Sequence, residues 1–233
     1  MTRRTAWRID VGSLPLLLVP LLSIFPLRNN DLWFHLAAGR WMVRNRAFPD
    51  LDPFSHTQFM GRWVDNEWLA ELLFYGAWTI GENAGLILLR AVLFTTVFLL
   101  LRAYMRSARR PSMTFPAMVV GIALSYSWWA LRPSVFSLIG MLTLMILLER
   151  IRHGRRETWL LPCLFMAWAN LHPGFLFGLL VLAATAASLW IEPVLSRPRR
   201  FTADNQLRVR LSLWCALSAA VTLINPYGVQ AVS

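Results

Sequence analysis

The chain has 233 residues, of which 57% are hydrophobic and 15% are charged, whereas soluble domains contain roughly 25% charged residues. The net charge of +11 would be typical of a nucleic-acid-binding domain if the basic residues formed one face, but here they fall between apolar runs. This distribution, with a mean hydropathy of +0.49, argues against a soluble fold and a nucleic-acid partner. It favours an all-α integral membrane protein.

Seven apolar runs are candidate transmembrane helices. They cover residues 11–27, 84–101, 113–131, 134–148, 159–171, 174–191 and 211–224. Several are shorter than the roughly 20 residues that cross a bilayer, so their ends must use flanking Trp, Tyr and Arg side chains at the interfaces. Pro133 and Pro173 interrupt two longer apolar stretches, and each predicts a tight turn between consecutive helices.

The arginines predict the orientation of these spans. Most of the 23 basic residues cluster at positions 3–8, 102–110, 150–156 and 197–210, which all fall on one side if the spans alternate. The positive-inside rule therefore places these clusters and the N-terminus in the cytoplasm. No signal-peptide cleavage site follows the first run, so we expect it to be retained.

One long loop, residues 28–83, falls on the opposite, external side. More than half of the chain's 12 acidic residues lie in it: Asp31, Asp50, Asp52, Asp65, Glu67, Glu71 and Glu82. Within it, residues 32–44 and 67–80 have apolar positions at helical spacing but are too short to cross. We expect two surface helices, the second capped by Asp65 or Asn66, with polar faces toward a cavity.

Asp31 opens the first surface helix, and His35 lies one turn later on the same face. A carboxylate at a membrane surface, beside partly dehydrated apolar groups, can act as a general base on a hydroxyl. Because it directly precedes Leu32, Asp31 could equally be a helix N-cap. Both interpretations stay open.

The proline-flanked segment 49–57 contains Asp50, Asp52 and His56. An Asp-x-Asp pair can hold a divalent cation against a phosphate, since hard cations prefer carboxylate oxygens. Aspartate beside proline is also a common turn former. The segment is therefore a weak candidate metal site with a structural alternative.

Polar residues also stand at three predicted external turns: Arg132, His172 and Asn225. An arginine there could bind a lipid-linked phosphate, and the other two could orient it. Alternatively, Arg132 extends its charged end to the membrane interface, and Asn225 forms a turn with the proline that follows it. Arg90, inside the second span, needs a partner, water or access to the interface, since an unpaired guanidinium at that depth costs about 2.5–3.5 kcal/mol.

The order of elements, one span and then a long external loop that starts with an aspartate, resembles the membrane glycosyltransferases of the GT-C fold. The blocks at 31–39, 52–57, 66–69, 131–133, 170–174 and 225–228 are similar to those of a large bacterial membrane family whose members are often labelled glycosyltransferase-like. The resemblance covers nearly the whole chain. Leu32 and Asn66 depart from it, because many GT-C proteins have a second acid at position 32 and the bacterial family often has histidine at position 66.

The resemblance implies an inner-membrane, multi-pass enzyme that transfers a sugar from a polyprenyl-phosphate donor to an external hydroxyl. Asp31 would be the general base, and His35, Asp50, Asp52, His56, Glu67, Arg132, His172 and Asn225 would contribute to substrate binding. GT-C proteins usually have more than seven spans. We therefore expect a single transmembrane domain over residues 1–233 that is either a minimal member or the N-terminal part of a longer protein.

Two other functions compete with this one. A non-catalytic subunit for binding lipid-linked glycans or assembling envelope polysaccharide would use the acid-rich loop as a docking surface. A transporter is disfavoured because ionisable residues other than Arg90 are nearly absent from the predicted spans and no inverted repeat is visible.

Overall fold

A computed structural model describes residues 11–57, 61–195 and 205–232. The all-α prediction is confirmed for these residues, where the strand-like pairing is one isolated bridge between Leu51 and Arg62. The helices are α1 (Leu18–Leu22), α2 (Asn30–Asn45), α3 (Trp68–Ser107), α4 (Thr114–Ser125), α5 (Ser134–Arg152), α6 (Leu160–Ala169), α7 (Phe175–Leu195) and α8 (Asn205–Val221). Short 3-10 turns connect several of them.

The first apolar run does not form one continuous helix, so this part of the prediction is wrong. Val11–Leu17 is a 3-10 helix containing Pro15, and α1 adds only five α-helical residues. Pro15 and Pro20 lack the N–H groups that a continuous α-helix needs, which accounts for the irregularity. The basic residues at positions 3–8 and the predicted cluster around 197–200 lie outside the described residues.

The first helix predicted in the long loop is confirmed as α2, but Asp31 is not its cap. Asn29 is the N-cap, and its side chain accepts a hydrogen bond from the Asp31 backbone N–H at 3.1 Å. The N-cap interpretation of Asp31 is therefore wrong, and its carboxylate lies in the first helical turn. At the other end, Arg46 adopts a left-handed backbone conformation (φ 51°) and ends the helix.

The second surface helix is the first part of α3. A kink at Gly81 and Glu82, whose backbone angles are not helical, separates residues 68–80 from the apolar continuation. A Cβ atom at Gly85 would overlap the carbonyl oxygen of Ala77, so the two parts can meet this closely only with glycine at that position. The prediction that Asp65 or Asn66 caps this helix is wrong, because Glu67 is the N-cap residue. Asp65 instead accepts a hydrogen bond from the Glu67 N–H at 2.9 Å just before the helix.

Two clusters of buried side chains form the core. One joins the N-terminal segment, α2, α3 and the start of α5, and includes Leu32, Phe74 and Trp129. The other joins α5 to α8 around Phe165 and Trp168. This arrangement brings the start of α2, the start of α3 and the turns before α5 and α7 to one end of the molecule.

Two helices among the described residues, α3 and α5, are long and apolar enough to cross a membrane. Thr114–Ser125 and Leu160–Ala169 have 12 and 10 residues, well short of the roughly 20 that a crossing requires. Seven spans therefore stay a prediction.

Arg90 is almost fully buried, and its partners are backbone carbonyls. Its guanidinium donates to the Ser23 carbonyl from Nε (3.0 Å) and Nη2 (2.6 Å), and also to the Phe25 carbonyl. The same group stacks over the Phe25 ring at 3.7 Å. Arg90 therefore ties the end of the N-terminal segment to α3, which satisfies the expected need for a partner.

Candidate functional site

A cavity of about 400 Å³ lies where the two surface helices meet two of the turns. Its lining comes from α2, from the start of α3 and from the turns before α5 and α7: Asp31, Phe34, His35, Glu67, Arg132, Pro133, Ser134 and His172. Five of these residues were predicted to belong to a site. The fold thus brings together polar groups that are far apart in the sequence.

Asp31 and Arg132 form an ion pair at the edge of this cavity. Arg132 Nη2 lies 3.0 Å from Asp31 Oδ2, and both side chains are about half exposed. Asn29 supports the pair, since its Oδ1 accepts from Arg132 Nη2 at 3.2 Å and its Nδ2 donates to the Leu131 carbonyl at 3.3 Å. At such exposure an ion pair contributes at most about 1 kcal/mol, so a ligand can displace it at low cost.

The same ion pair borders a second cavity. This one has a volume of about 730 Å³ and is lined by Asp31, Arg132 and residues 25–30, together with Arg90 and Tyr126. Arg28 and Arg132 supply positive charge there. The ion pair therefore stands between two spaces large enough for different parts of one ligand or for two ligands.

His35 and Glu71 form a buried pair behind the first cavity, with His35 Nδ1 and Glu71 Oε1 2.9 Å apart. Burial lowers the pKa of His35 to about 4. Burial, with the nearby charge of Asp65, raises the pKa of Glu71 to about 10. Near neutral pH the histidine is therefore neutral and the glutamate is protonated, so the pair has no net charge.

Glu67 connects the buried pair to the cavity and faces a histidine on each side. Its Oε1 lies 3.4 Å from His172 Nε2, and its Oε2 lies 3.8 Å from His35 Nδ1. Its side chain is about one quarter exposed. Burial raises the pKa of Glu67 to about 7, and the negative charges of Asp65 and Asp31 act in the same direction.

The surroundings of His172 determine which of its nitrogens carries the proton. The Gly174 backbone N–H donates to His172 Nδ1 at 2.9 Å, so this nitrogen must be an acceptor. Ser137 Oγ lies 2.7 Å from the same nitrogen and accepts from the Trp168 indole at 2.9 Å, which leaves its hydroxyl hydrogen for Nδ1. Burial lowers the pKa of His172. The neutral ring therefore presents Nε2–H to Glu67.

Four predicted site residues do not line either cavity. Asp52 Oδ1 accepts from the Phe54 and Ser55 N–H groups at 2.8 and 3.1 Å, which is the turn role anticipated as its alternative. Asn225 likewise forms a turn, donating to the Thr222 and Gly228 carbonyls and accepting from the Tyr227 N–H. Asp50 and His56 are exposed in the same loop as Asp52.

No group of three or more His, Cys, Asp or Glu side chains in the described part of the chain is arranged to hold a metal ion. A divalent cation at Asp50 and Asp52 stays a prediction. Assigning Asn225 to the same site as His172 does not fit the geometry, because the Asn225 side chain is engaged within its own turn.

Several residues that shape the site were not identified from the sequence. Asn170 accepts from the Trp68 indole at 3.0 Å and donates to the Ile224 carbonyl at 3.0 Å, which connects α3, α6 and the end of α8. Phe34 contributes an apolar wall and packs against Phe54 and Trp63. Asn170 belongs to the block at 170–174 on which the family resemblance is based, but nothing in the sequence indicated its hydrogen-bond partners.

No protein-family model, curated protein or solved structure matches the chain. The site must therefore be interpreted from its own chemistry. It combines an exposed ion pair, a neutral histidine with a defined tautomer and a carboxyl group that titrates near neutrality, all on one cavity. Such a site can bind an anion at Arg132 and exchange protons with a hydroxyl or a leaving group.

Proposed function

We propose that this protein is a membrane-embedded glycosyltransferase-like enzyme that transfers a sugar from a polyprenyl-phosphate donor to an external acceptor hydroxyl. The observation that carries the proposal is the convergence of Asp31, Arg132, Glu67 and His172 on one cavity. Four separate parts of the chain supply these groups. A fold that served only to pack apolar helices would not need a carboxylate, an arginine and a histidine at one opening.

Asp31 is the general base in this proposal. Its carboxylate accepts the proton of the acceptor hydroxyl, whose oxygen then attacks the anomeric carbon of the donor sugar. Arg132 binds the departing phosphate, since guanidinium groups pair well with phosphate oxygens. An arriving phosphate competes with Asp31 for Arg132, so substrate binding itself would release the carboxylate from its ion pair.

The apolar surface supports a location in a membrane. In the apolar 18-residue stretches of α3 and α5, only 33% and 39% of the residues are buried. The core helices of a soluble protein are mostly buried. Leu88, Leu124, Phe177, Leu180 and Leu213 are each more than 60% exposed. Such extensive apolar exposure is typical of a lipid-facing surface. We extend this proposal to an inner-membrane protein with seven spans and a cytoplasmic N-terminus.

The direct test is transfer by membranes that contain the protein. Membranes from cells expressing the wild type, D31N or E149Q would receive a panel of radiolabelled polyprenyl-phosphate hexoses, and the label in non-lipid product would be measured. D31N should lower transfer at least 100-fold at equal protein level, because general-base catalysis contributes about 10²–10⁴-fold. E149Q makes the same change at Glu149, which pairs with Arg152 and His153 away from the cavity, and should transfer normally.

Undiminished transfer by D31N would remove Asp31 from the mechanism. A wild type that transfers none of the panel would instead favour the alternative function, a non-catalytic subunit for lipid-linked glycan binding or envelope polysaccharide assembly. That alternative is supported by the exposed apolar side chains of Trp33, Phe48 and Leu51 on the acid-rich loop, which could dock a partner.

A further inference from the structure

We infer that Glu67 is the general acid of this site, donating a proton to the phosphate oxygen that leaves the sugar. This inference rests on the proposed function and adds a second catalytic carboxyl to it. Glu67 lines the same cavity as Asp31 and Arg132. Two carboxyl groups with different surroundings that face one substrate space are a recurrent arrangement for dividing acid and base roles.

The surroundings of the two carboxyl groups differ in the way this division requires. Asp31 is about half exposed and is paired with Arg132 at 3.0 Å. Glu67 is more buried and lies among other acidic groups. The exposed, arginine-paired carboxylate of Asp31 suits the base, and Glu67, which holds its proton below about pH 7, suits the acid.

The contacts of Glu67 leave its carboxyl group available to a ligand. His172 Nε2 lies 3.4 Å from Oε1, and His35 Nδ1 lies 3.8 Å from Oε2. Both distances exceed the usual range for a hydrogen bond. A proton on Glu67 is therefore not held by a strong hydrogen bond and can be transferred to a ligand in the cavity.

The full reaction balances with these two groups. The acceptor hydroxyl gives its proton to Asp31, its oxygen forms a bond to the anomeric carbon, and the bond from that carbon to the phosphate oxygen breaks. The electron pair stays on the phosphate, which takes the proton from Glu67. Return of the proton from Asp31 to Glu67 restores the site. A phosphate monoester has a second pKa of about 6, close enough to that of Glu67 for transfer in either direction.

Glu67, with a pKa of about 7, is surrounded by groups whose pKa values are shifted in different directions. From α2, His35 faces it with a pKa of about 4, and Asp31 faces it with its charge paired to Arg132. Within α3, Glu71 has a pKa of about 10, and burial raises the pKa of the preceding Asp65. From the turn before α7, His172 has a lowered pKa. Protonated Glu67 is present below about pH 7 and is lost above it.

Two measurements on the intact protein test this assignment. The first is the pH dependence of transfer in membranes between pH 5.5 and 8.5, for the wild type, E67Q and E157Q. The wild-type rate should fall about tenfold for each pH unit above 7, and E67Q should transfer at least tenfold more slowly without that fall. E157Q changes a glutamate that pairs with Arg150 at 2.7 Å outside the cavity and should keep the wild-type profile.

The second measurement does not need a substrate. Infrared difference spectra of the detergent-solubilised protein, recorded across the same pH range, follow the carbonyl stretch of protonated carboxyl groups. The wild type should lose one such band with a midpoint near pH 7, and E67Q should lack this change while E157Q retains it.

The outcomes separate the two proposals. Transfer with a pH profile that E67Q leaves unchanged, or an infrared transition that persists in E67Q, would overturn the role of Glu67 and leave the proposed function standing. Absence of transfer by the wild type would overturn both.

Discussion

At the scale of single residues, Trp168 of α6 determines how closely α5 and α7 pack against its ring. A Cβ atom at Gly140 of α5 would lie 2.7 Å from Trp168 Cε2, and one at Gly178 of α7 would lie 2.5 Å from Cζ3 of the same ring. The indole N–H also donates to Ser137, which contacts His172. The position of this ring therefore affects the hydrogen bonds of His172 in the candidate site.

Replacing Gly140 with alanine should destabilise the protein. The added methyl group must displace the buried Trp168 ring, and overpacking of this kind costs about 1–3 kcal/mol, more than the roughly 1 kcal/mol by which alanine exceeds glycine in helix propensity. Heating the detergent-solubilised protein and measuring the remaining monodisperse fraction should give a lower midpoint for G140A than for the wild type.

A matched control is available in G76A. Gly76 is also helical, but a Cβ atom there meets nothing within 4 Å. Its midpoint should stay the same or rise, as helix propensity alone predicts. A G140A midpoint equal to that of G76A would mean that Trp168 does not hold α5 at this distance.

The residues of the site were predictable in part, and the limits have physical causes. Asp31, Arg132 and His172 stand at helix ends on the side that the charge pattern predicts to be external, so their proximity was expected from the predicted topology. The pairing of His35 with Glu71 depends on how two surface helices pack against each other, which a single sequence does not specify. The roles of Asp52 and Asn225 in turns depend on backbone hydrogen bonds that form only within those turns.

At the scale of elements, the kink in α3 turns a surface helix into an apolar continuation. Glu82 has a φ of 47° and a ψ of −129°, a conformation that glycine adopts readily and other residues adopt at a cost of about 1–3 kcal/mol. Glu82 is exposed, so packing of its side chain does not offset this conformational cost. The bend itself must be maintained by contacts on both sides of it.

E82G should therefore raise the thermal midpoint of the protein. Glycine keeps the bend and removes the strain of a Cβ atom at positive φ. E82A is the matched control, because it removes the same carboxylate but retains a Cβ atom, and its midpoint should stay near that of the wild type. An increase of equal size in E82A and E82G would show that the gain comes from losing the charge rather than from relieving the backbone.

Sequence patterns predicted the helices better than their continuity. Helical spacing and turn prolines located both surface helices and the breaks before α5 and α7. The prediction of one helix for the first apolar run was wrong. It was based on composition, which does not take into account that Pro15 and Pro20 each lack a backbone N–H donor. The division of α3 at Gly81 agrees with the prediction that a surface helix ends at residue 80.

At the scale of the whole molecule, the cavity and the described basic segments at the ends of α3 and α5 lie at opposite ends of these helices. The cavity is built from the start of α2 and from the turns before α5 and α7. At the other ends, Arg106 lies in the last turn of α3, and Arg109 and Arg155 follow α3 and α5. The positive-inside rule predicts that the site faces away from the cytoplasm, toward the side on which the proposed transfer would take place.

Cysteine labelling in intact spheroplasts tests this orientation. In a background carrying C163A and C215A, D50C would report on the acid-rich loop and R155C on the loop between α5 and α6, since both positions are exposed. A membrane-impermeant maleimide should label D50C in intact spheroplasts and R155C only after lysis, because charge asymmetry across short loops fixes orientation. Lysed membranes provide the control for reactivity at each position. The reverse pattern would put the cavity in the cytoplasm and require a cytoplasmic sugar donor. Labelling of both positions in intact spheroplasts would mean that an even number of the three helices between them, α3, α4 and α5, crosses the membrane.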